Sequence, residues 1–175
     1  MSDYPLAWGA KVSPAFREKV REIAKHLAID PSDLMACMAW ESGRSFRADV
    51  KNMAGSGATG LIQLMPSIAA GLGTSTEALE AMTPEAQLDW VQKYFEAWRG
   101  KLRDLPDLYM AILFPPGIGK LGSYVLFDKD DMEHPARYRQ NAGLDIDHNG
   151  RVTKAEACSK VVSMRSEGMR PLNVA

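Results

Sequence analysis

The sequence predicts a mainly α, single-domain protein with little or no β-structure, and three observations carry that prediction. A capping residue followed by proline, the chemistry of a helix start, recurs at Ser13-Pro14, Asp30-Pro31 and Thr83-Pro84. Strand signals are sparse, and only 124–131 offers a brief strand or turn. The 175 residues, 46% hydrophobic and 25% charged, suffice for one real core, and no repeat, low-complexity tract or linker divides residues 1–175.

The first helix opens at Ser13-Pro14 and runs as an amphipathic segment to about Leu27. A second begins near Pro31, with Asp30 as its cap and Asp33 in its first turn. Leu34, Cys37, Met38 and Glu41 then fall at i, i+3, i+4 and i+7, so the Glu41 carboxylate continues an apolar stripe and points inward. Gly43 is placed to stop this helix in a left-handed conformation. Thr83-Pro84-Glu85 opens a third helix to about Arg99, ended by Gly100. Asp104 starts a shorter one that reaches Phe114 and is stopped by Pro115-Pro116. Trp90, Tyr94, Phe95 and Trp98 form a stripe at 3–4 spacing, read as core packing ahead of a sugar-stacking surface.

Glu41 carries the chemistry. Desolvation on an apolar face and the negative end of the helix dipole both disfavour its charged form. Each raises its pKa toward the range where a carboxylic acid keeps a proton near neutral pH for a leaving-group oxygen. The competing reading is a helix-terminal glutamate whose head reaches water. The loop that follows favours the first reading. Gly55, Gly57 and Gly60 let the backbone approach a ligand or take positive φ, and Gln63 is the one side chain in Leu61-Ile62-Gln63-Leu64-Met65 that both donates and accepts hydrogen bonds. Against this, Gln63 could cap the backbone of its own loop.

Glu41-Ser42-Gly43 with Phe46, followed by Gly57-Ala58-Thr59-Gly60-Leu61-Ile62-Gln63-Leu64-Met65-Pro66 and Ala69, resembles the soluble lytic transglycosylase family of the lysozyme-like superfamily, which cleaves peptidoglycan. The family pattern, Glu-Ser and then Gly-Ala-x-Gly-Leu-Met-Gln-x-Met-Pro, is departed from only by Ile62. The resemblance implies a lysozyme-like fold, Glu41 as catalytic acid/base and Ser42 as a helper at the same helix end. It also implies Ser56 and Gln63 as contacts to N-acetyl sugars, with the Gly57 to Gly60 backbone lining the cleft. A third family motif, Ala-Tyr-Asn-x-Gly, is not intact: Leu113 and Phe114 hold its tyrosine and asparagine positions, a variant similar to that of bacteriophage lysins and tail-associated muralytic proteins. Tyr109 and Tyr124 are the candidates for the tyrosine that orients substrate, although a tyrosine at helical spacing is more often core.

The resemblance implies a reaction that one carboxylate can run. Glu41 protonates the glycosidic oxygen and, as carboxylate, takes the proton from the muramic C6 hydroxyl, leaving a 1,6-anhydro end with no metal or other cofactor in the chemistry. Glycoside hydrolases use two carboxylates. Asp49 is the obvious second candidate, and Arg47 and Lys51 beside it suggest a solvated turn. A hydrolytic muramidase on the same fold is the first alternative. The second is a calcium-stapled virion structural or wall-binding protein without catalysis.

A second motif fits the twelve-residue EF-hand calcium loop at 145–156. Asp145, Asp147 and Asn149 take positions 1, 3 and 5, Gly150 the sharp turn, and Glu156 the bidentate position 12. The Arg151 carbonyl and Thr153, directly or through water, complete a hard oxygen shell suited to Ca²⁺. Such a loop without a paired partner is expected to bind at the weak end, on the order of 10⁻⁴ to 10⁻³ M, and to staple the chain, not to signal. The alternative is a surface Asn-Gly turn that resembles the loop.

A net charge of −1 gives no pull toward nucleic acid or an anionic membrane. The expected partner is the peptidoglycan glycan strand, met by a monomer. No apolar run approaches the ~20 residues of a membrane span, and Met1-Ser2-Asp3-Tyr4-Pro5 lacks the features of a signal peptide. The expectation is a phage product held in the host cytoplasm before release to the wall, or carried on the virion. Cys37 and Cys158 make no disulfide framework, and Cys37 reads as a small buried hydrophobe.

Overall fold

A computed structural model describes residues 4–53 and 55–175. Its helices are α1 (Pro14–Leu27), α2 (Pro31–Glu41), α3 (Pro66–Leu72), α4 (Thr76–Glu80), α5 (Pro84–Glu96), α6 (Leu105–Leu113), α7 (Pro135–Asn141) and α8 (Lys154–Gly168). Strands β1 (Val125–Asp128) and β2 (Arg151–Thr153) pair antiparallel with Val125 opposite Thr153 and Asp128 opposite Arg151. The mainly helical expectation holds, with one small two-stranded sheet added to it.

The sequence-encoded caps are made. Ser13 accepts from the Phe16 N–H, Asp30 from Ser32, Thr83 from Ala86 and Asp104 from Asp107, each followed by proline or leucine-proline that needs no bond at the helix start. Two expected boundaries move. The third expected helix, α5, stops at Glu96 because Trp98 and Arg99 turn back to Phe95 and Glu96 in tight three-residue steps. The next, α6, ends at Leu113, one residue short of the expected Phe114.

Helix α2 is the axis of the core. The stripe expected on it is a simplification, because every residue from Leu34 to Ala39 is buried. A helix that is apolar all round is one packed on all sides, here by α1, α6 and α8. The last of these clamps it: Arg165 bonds Asp33 at 2.5 Å and Asp30 at 2.9 Å at one end of α2, and Arg44 meets Glu167 through two bonds of 2.9 and 2.7 Å at the other. Trp8 rests on the same helix. Trp8 sends its indole N–H to the Met164 carbonyl at 2.9 Å, and its ring covers Gly168, where a Cβ would stand 2.5 Å from Nε1. The 165–175 stretch, unreadable in the sequence, thus ends α8 and pairs Ala175 with Leu6 through two backbone bonds.

Candidate active site

Glu41 is the last residue of α2, and the turn after it is fixed by its neighbour. The Ser42 hydroxyl is buried, donates to the Met38 carbonyl at 2.7 Å and accepts from the Phe46 N–H at 3.0 Å. Phe46 is pinned between the Trp8 and Phe16 rings with its own φ at +50°. Arg44 is also left-handed at +67°, as is Gly43, which stops the helix as expected. Such backbone is costly for side chains that carry a Cβ, and here it is held by buried contacts on both sides. Ser42 therefore shapes the helix end, and its hydroxyl faces the backbone.

Burial pushes the Glu41 carboxyl up to about 7, and neither a hydrogen bond nor a neighbouring charge contributes to that rise. The residue keeps partial exposure, so the acid is desolvated yet reachable. Its charge acts on two phenols. Tyr94 is pushed up to about 12 by burial and then by Glu41, and Tyr109 is raised further by the same two causes. The Tyr94 hydroxyl donates to the Ala111 carbonyl. That carbonyl is open because its helical partner would be residue 115, a proline without an N–H. Tyr109 lies almost fully buried and accepts the Trp40 indole N–H at 3.0 Å. Tyr124 is placed elsewhere. It stands exposed before β1 with the Lys120 ammonium 5.5 Å over its ring, and no described contact ties it to Glu41. Tyr94, which the sequence offered only as part of an aromatic stripe, is the tyrosine that its reading missed.

The glycine-rich loop folds back on itself through mutual backbone bonds of Thr59 and Leu64 at 3.0–3.1 Å and a 2.8 Å bond from Gly60 to Val50. Gln63 takes φ +51° and spends both amide protons on the Val50 and Gly60 carbonyls at 3.0 Å. Of the two readings open in the sequence, the loop-capping one holds for its donors, and Oε1 has no partner among the described residues. Ser56 is exposed and accepts the Ala58 N–H at 3.3 Å, while Gly57 at φ +76° lies against the Pro66 ring.

Beneath the loop sits a residue that sequence reading passed over. Gln87 of α5 is buried, accepts the Leu61 N–H at 2.7 Å and donates to the Ala48 and Leu79 carbonyls at 3.0 and 2.9 Å. A Cβ on Gly60, whose φ is +89°, would come within 2.7 Å of its amide carbon and nitrogen. Gly60→Ala is therefore expected to lose about 2–5 kcal/mol by adding positive-φ strain to overpacking, seen as a lowered denaturation midpoint. Midpoints equal to wild type would mean that the loop is not built on Gln87.

The departure at Leu113 and Phe114 has a physical reason. Phe114 packs edge-on against Phe127 of β1 at 5.3 Å and lies under the Arg137 guanidinium of α7 at 5.8 Å. The position is used to join α6 to the C-terminal segment. That segment holds the 145–156 loop, in which carboxylate oxygens of Asp145, Asp147 and Glu156 lie within 4.8 Å of one another. Gly150 turns at φ +88°, Asn149 accepts the Arg151 N–H at 2.8 Å, and Tyr138 of α7 donates to Asp145 at 2.7 Å. Thr153 and Glu156 form a reciprocal capping box at the start of α8. His148 lies between Asp147 and Asn149 with its backbone at φ +57°.

The candidate second acid, Asp49, is paired with Arg47. It is half-exposed and gripped through bonds of 2.8 and 2.5 Å, and that hydrogen bonding holds its carboxyl below the usual range. Cys37 is fully buried, and burial followed by the charges of Glu41 and Asp33 keeps its thiol well above the usual value, which suits packing and not attack. No helix among the described residues is long and apolar enough to cross a membrane.

The model of the family described as Transglycosylase SLT domain matches residues 18–113, which run from α1 through the end of α6 and contain Glu41, the glycine-rich loop and both phenols. No curated protein and no solved structure matches the chain. With more than half of its length matched and a mainly helical, lysozyme-like fold around Glu41, the chain belongs to the transglycosylase SLT domain family, whose function is peptidoglycan degradation of the lytic transglycosylase type.

Proposed function

We propose that this protein cleaves the MurNAc-GlcNAc β-1,4 bond of peptidoglycan with Glu41 as the single acid/base, forming 1,6-anhydro-MurNAc ends. What supports this is the Glu41 carboxyl, half-buried at the end of α2 and pushed up to about 7 by that burial, while Asp49 is paired with Arg47. A group at that value is protonated often enough to give a proton and ionised often enough to take one back. Protonated Glu41 donates to the leaving oxygen, and the carboxylate then accepts the C6 hydroxyl proton as that oxygen closes on C1. Ser56, the Gly57 to Gly60 backbone and Gln63 Oε1 line the sugar side in this reading, and Ser42 holds the helix end. Cleavage of purified peptidoglycan should fall as pH rises through about 7, because the acid is lost. A rate that stays level to pH 9 contradicts Glu41 as the proton donor.

The loop at 145–156 fits a hard divalent cation. Three carboxylates converge within 4.8 Å, Asn149 adds an amide oxygen, and Arg151 has its carbonyl at position 7. The Thr153 hydroxyl is committed to the Glu156 carboxylate, which leaves a water as its route to an ion. We read it as a structural Ca²⁺ site within one domain, since α8, which leaves the loop, packs on α2 and α6. The ion supplies charge neutralisation and no step of the reaction. At about 10 mM calcium and a millimolar dissociation constant the gain is ~1.4 kcal/mol, a rise of about 3–6 °C in melting temperature. Asp147→Asn should abolish that rise and leave the calcium-free melt in place; equal rises in both proteins would contradict the site. The departure at Leu113 and Phe114 supports a phage muralytic origin.

A further inference from the structure

We propose that Tyr138 couples the 145–156 loop to α7, so that a calcium ion in the loop clamps this helix, and the Arg137 it carries, onto the end of α6. The inference rests on the reading of the loop as a Ca²⁺ site given above. Helix α7 needs an outside hold. It has seven residues, its cap position His134 makes no side-chain bond, and none of its side chains is fully buried. So short a helix is marginal by itself and keeps its shape through contacts with its neighbours. It lies against β1 and β2. From it the Tyr138 hydroxyl donates to Asp145 Oδ2 at 2.7 Å, and the Arg137 guanidinium stands 5.8 Å over the ring of Phe114, the residue that ends α6.

Tyr138 stands outside the twelve-residue loop yet bonds its first residue. Asp145 is buried, and its two oxygens are used unequally. Oδ2 accepts both the Tyr138 hydroxyl and the Gly150 N–H, the latter at 2.9 Å, while Oδ1 accepts only the Asn149 N–H at 3.2 Å. The two bonds to Oδ2 fix the carboxylate and leave Oδ1 as the oxygen with capacity for a cation. A hydrogen bond onto a ligating carboxylate orients it, and its loss costs about 10–100-fold in metal affinity. Such coupling runs both ways. Because Tyr138 holds Asp145 for the ion, the bound ion holds Tyr138, and with it the rest of α7. The segment between α6 and α7 shares the load: the Lys129 N–H bonds the Gly150 carbonyl at 2.9 Å, and Phe127 of β1 meets the same Phe114 ring edge-on. Calcium thereby sets how firmly the C-terminal segment grips α6.

The test uses the full chain, calcium chloride as the probe, and Tyr138→Phe, which keeps the ring and removes only the donor. Calcium affinity, read from the Gly150 amide signal in ¹H–¹⁵N NMR titrations, should fall about tenfold in the variant. Trypsin reads the other side of the coupling at the exposed Arg137 and Arg139. At about 10 mM calcium and a millimolar dissociation constant, a tenfold coupling slows cleavage there about fivefold in the wild type, relative to cleavage after the exposed Lys101 outside this segment. The variant should lose that protection. Equal calcium affinities in the two proteins, or wild-type protection no greater at α7 than at Lys101, overturn the clamp while leaving the calcium site in place. A wild type whose Gly150 signal does not respond to calcium overturns the clamp and the calcium reading together. If Tyr138→Phe does not fold, the wild-type trypsin comparison decides by itself.

Discussion

Glu41→Gln is expected to reduce release of soluble glycan fragments by about 10³-fold while the protein stays folded. The amide fills the same space at the end of α2 but neither gives nor takes a proton, and positioned acid/base groups contribute about 10²–10⁴-fold. Stability should move the other way. The folded-state value near 7 stands above the ordinary 4.5 of the unfolded chain. Below about 4.5 both states hold the proton. Between 4.5 and 7 the unfolded state releases it first, so the wild type loses stability as pH rises, and above 7 the deficit is constant. Gln has no such deficit. The variant should therefore melt above the wild type at pH 8, measured by thermal denaturation, and at the same temperature near pH 4. A variant that loses both activity and stability at pH 8 would show Glu41 to be a structural carboxylate.

The largest expected loss of stability lies in a buried ion pair. Lys154 and Asp107 are 3% and 1% exposed and meet at 2.6 Å, joining the first residue of α8 to the first turn of α6. Around them the Gly119 N–H bonds Asp107 at 2.8 Å and the Lys120 carbonyl accepts from Lys154 at 2.9 Å, so one charge pair orders the crossing between α6 and β1. Removing Lys154 leaves Asp107 with only the largely exposed Arg103 as counter-charge, 3.2 Å from its other oxygen, and breaking a buried pair costs about 3–5 kcal/mol. Lys154→Met should accordingly lower the melting temperature by about 6–20 °C. Lys154→Met with Asp107→Leu should recover much of that, because an apolar pair of similar volume replaces a desolvated one. A single variant within about 0.5 kcal/mol of wild type would place the pair among ordinary surface contacts.

How much of this was legible in the sequence depended on whether local chemistry decided it. The helix starts at Pro14, Pro31 and Pro84 were readable because the capping residue and the proline sit together in the chain. Helices α3 and α4 were not, since seven and five residues are too few to display a 3.6-residue period. Helix α8 buries Ala157, Cys158, Val161, Met164 and Gly168, a stripe so rich in small residues that its apolar signal is faint. At the site, Glu41 and the glycine-rich loop were visible as motifs. Gln87, Tyr94 and the Trp40–Tyr109 bond were not, because each gains its role from a partner at least 17 residues away. Gln63 was legible as two alternatives, a ligand contact and a cap on its own loop, and the backbone turn assigns its amide protons to the second.

The measurement that bears most directly on the central claim is mass spectrometry of the fragments released from purified peptidoglycan by the wild type and by Glu41→Gln. Anhydro-muropeptides, each lighter by one water than its reducing counterpart and missing from the variant, are the predicted result. Reducing muramic ends from the wild type would contradict it, since a water would then have attacked and a second carboxylate would be required.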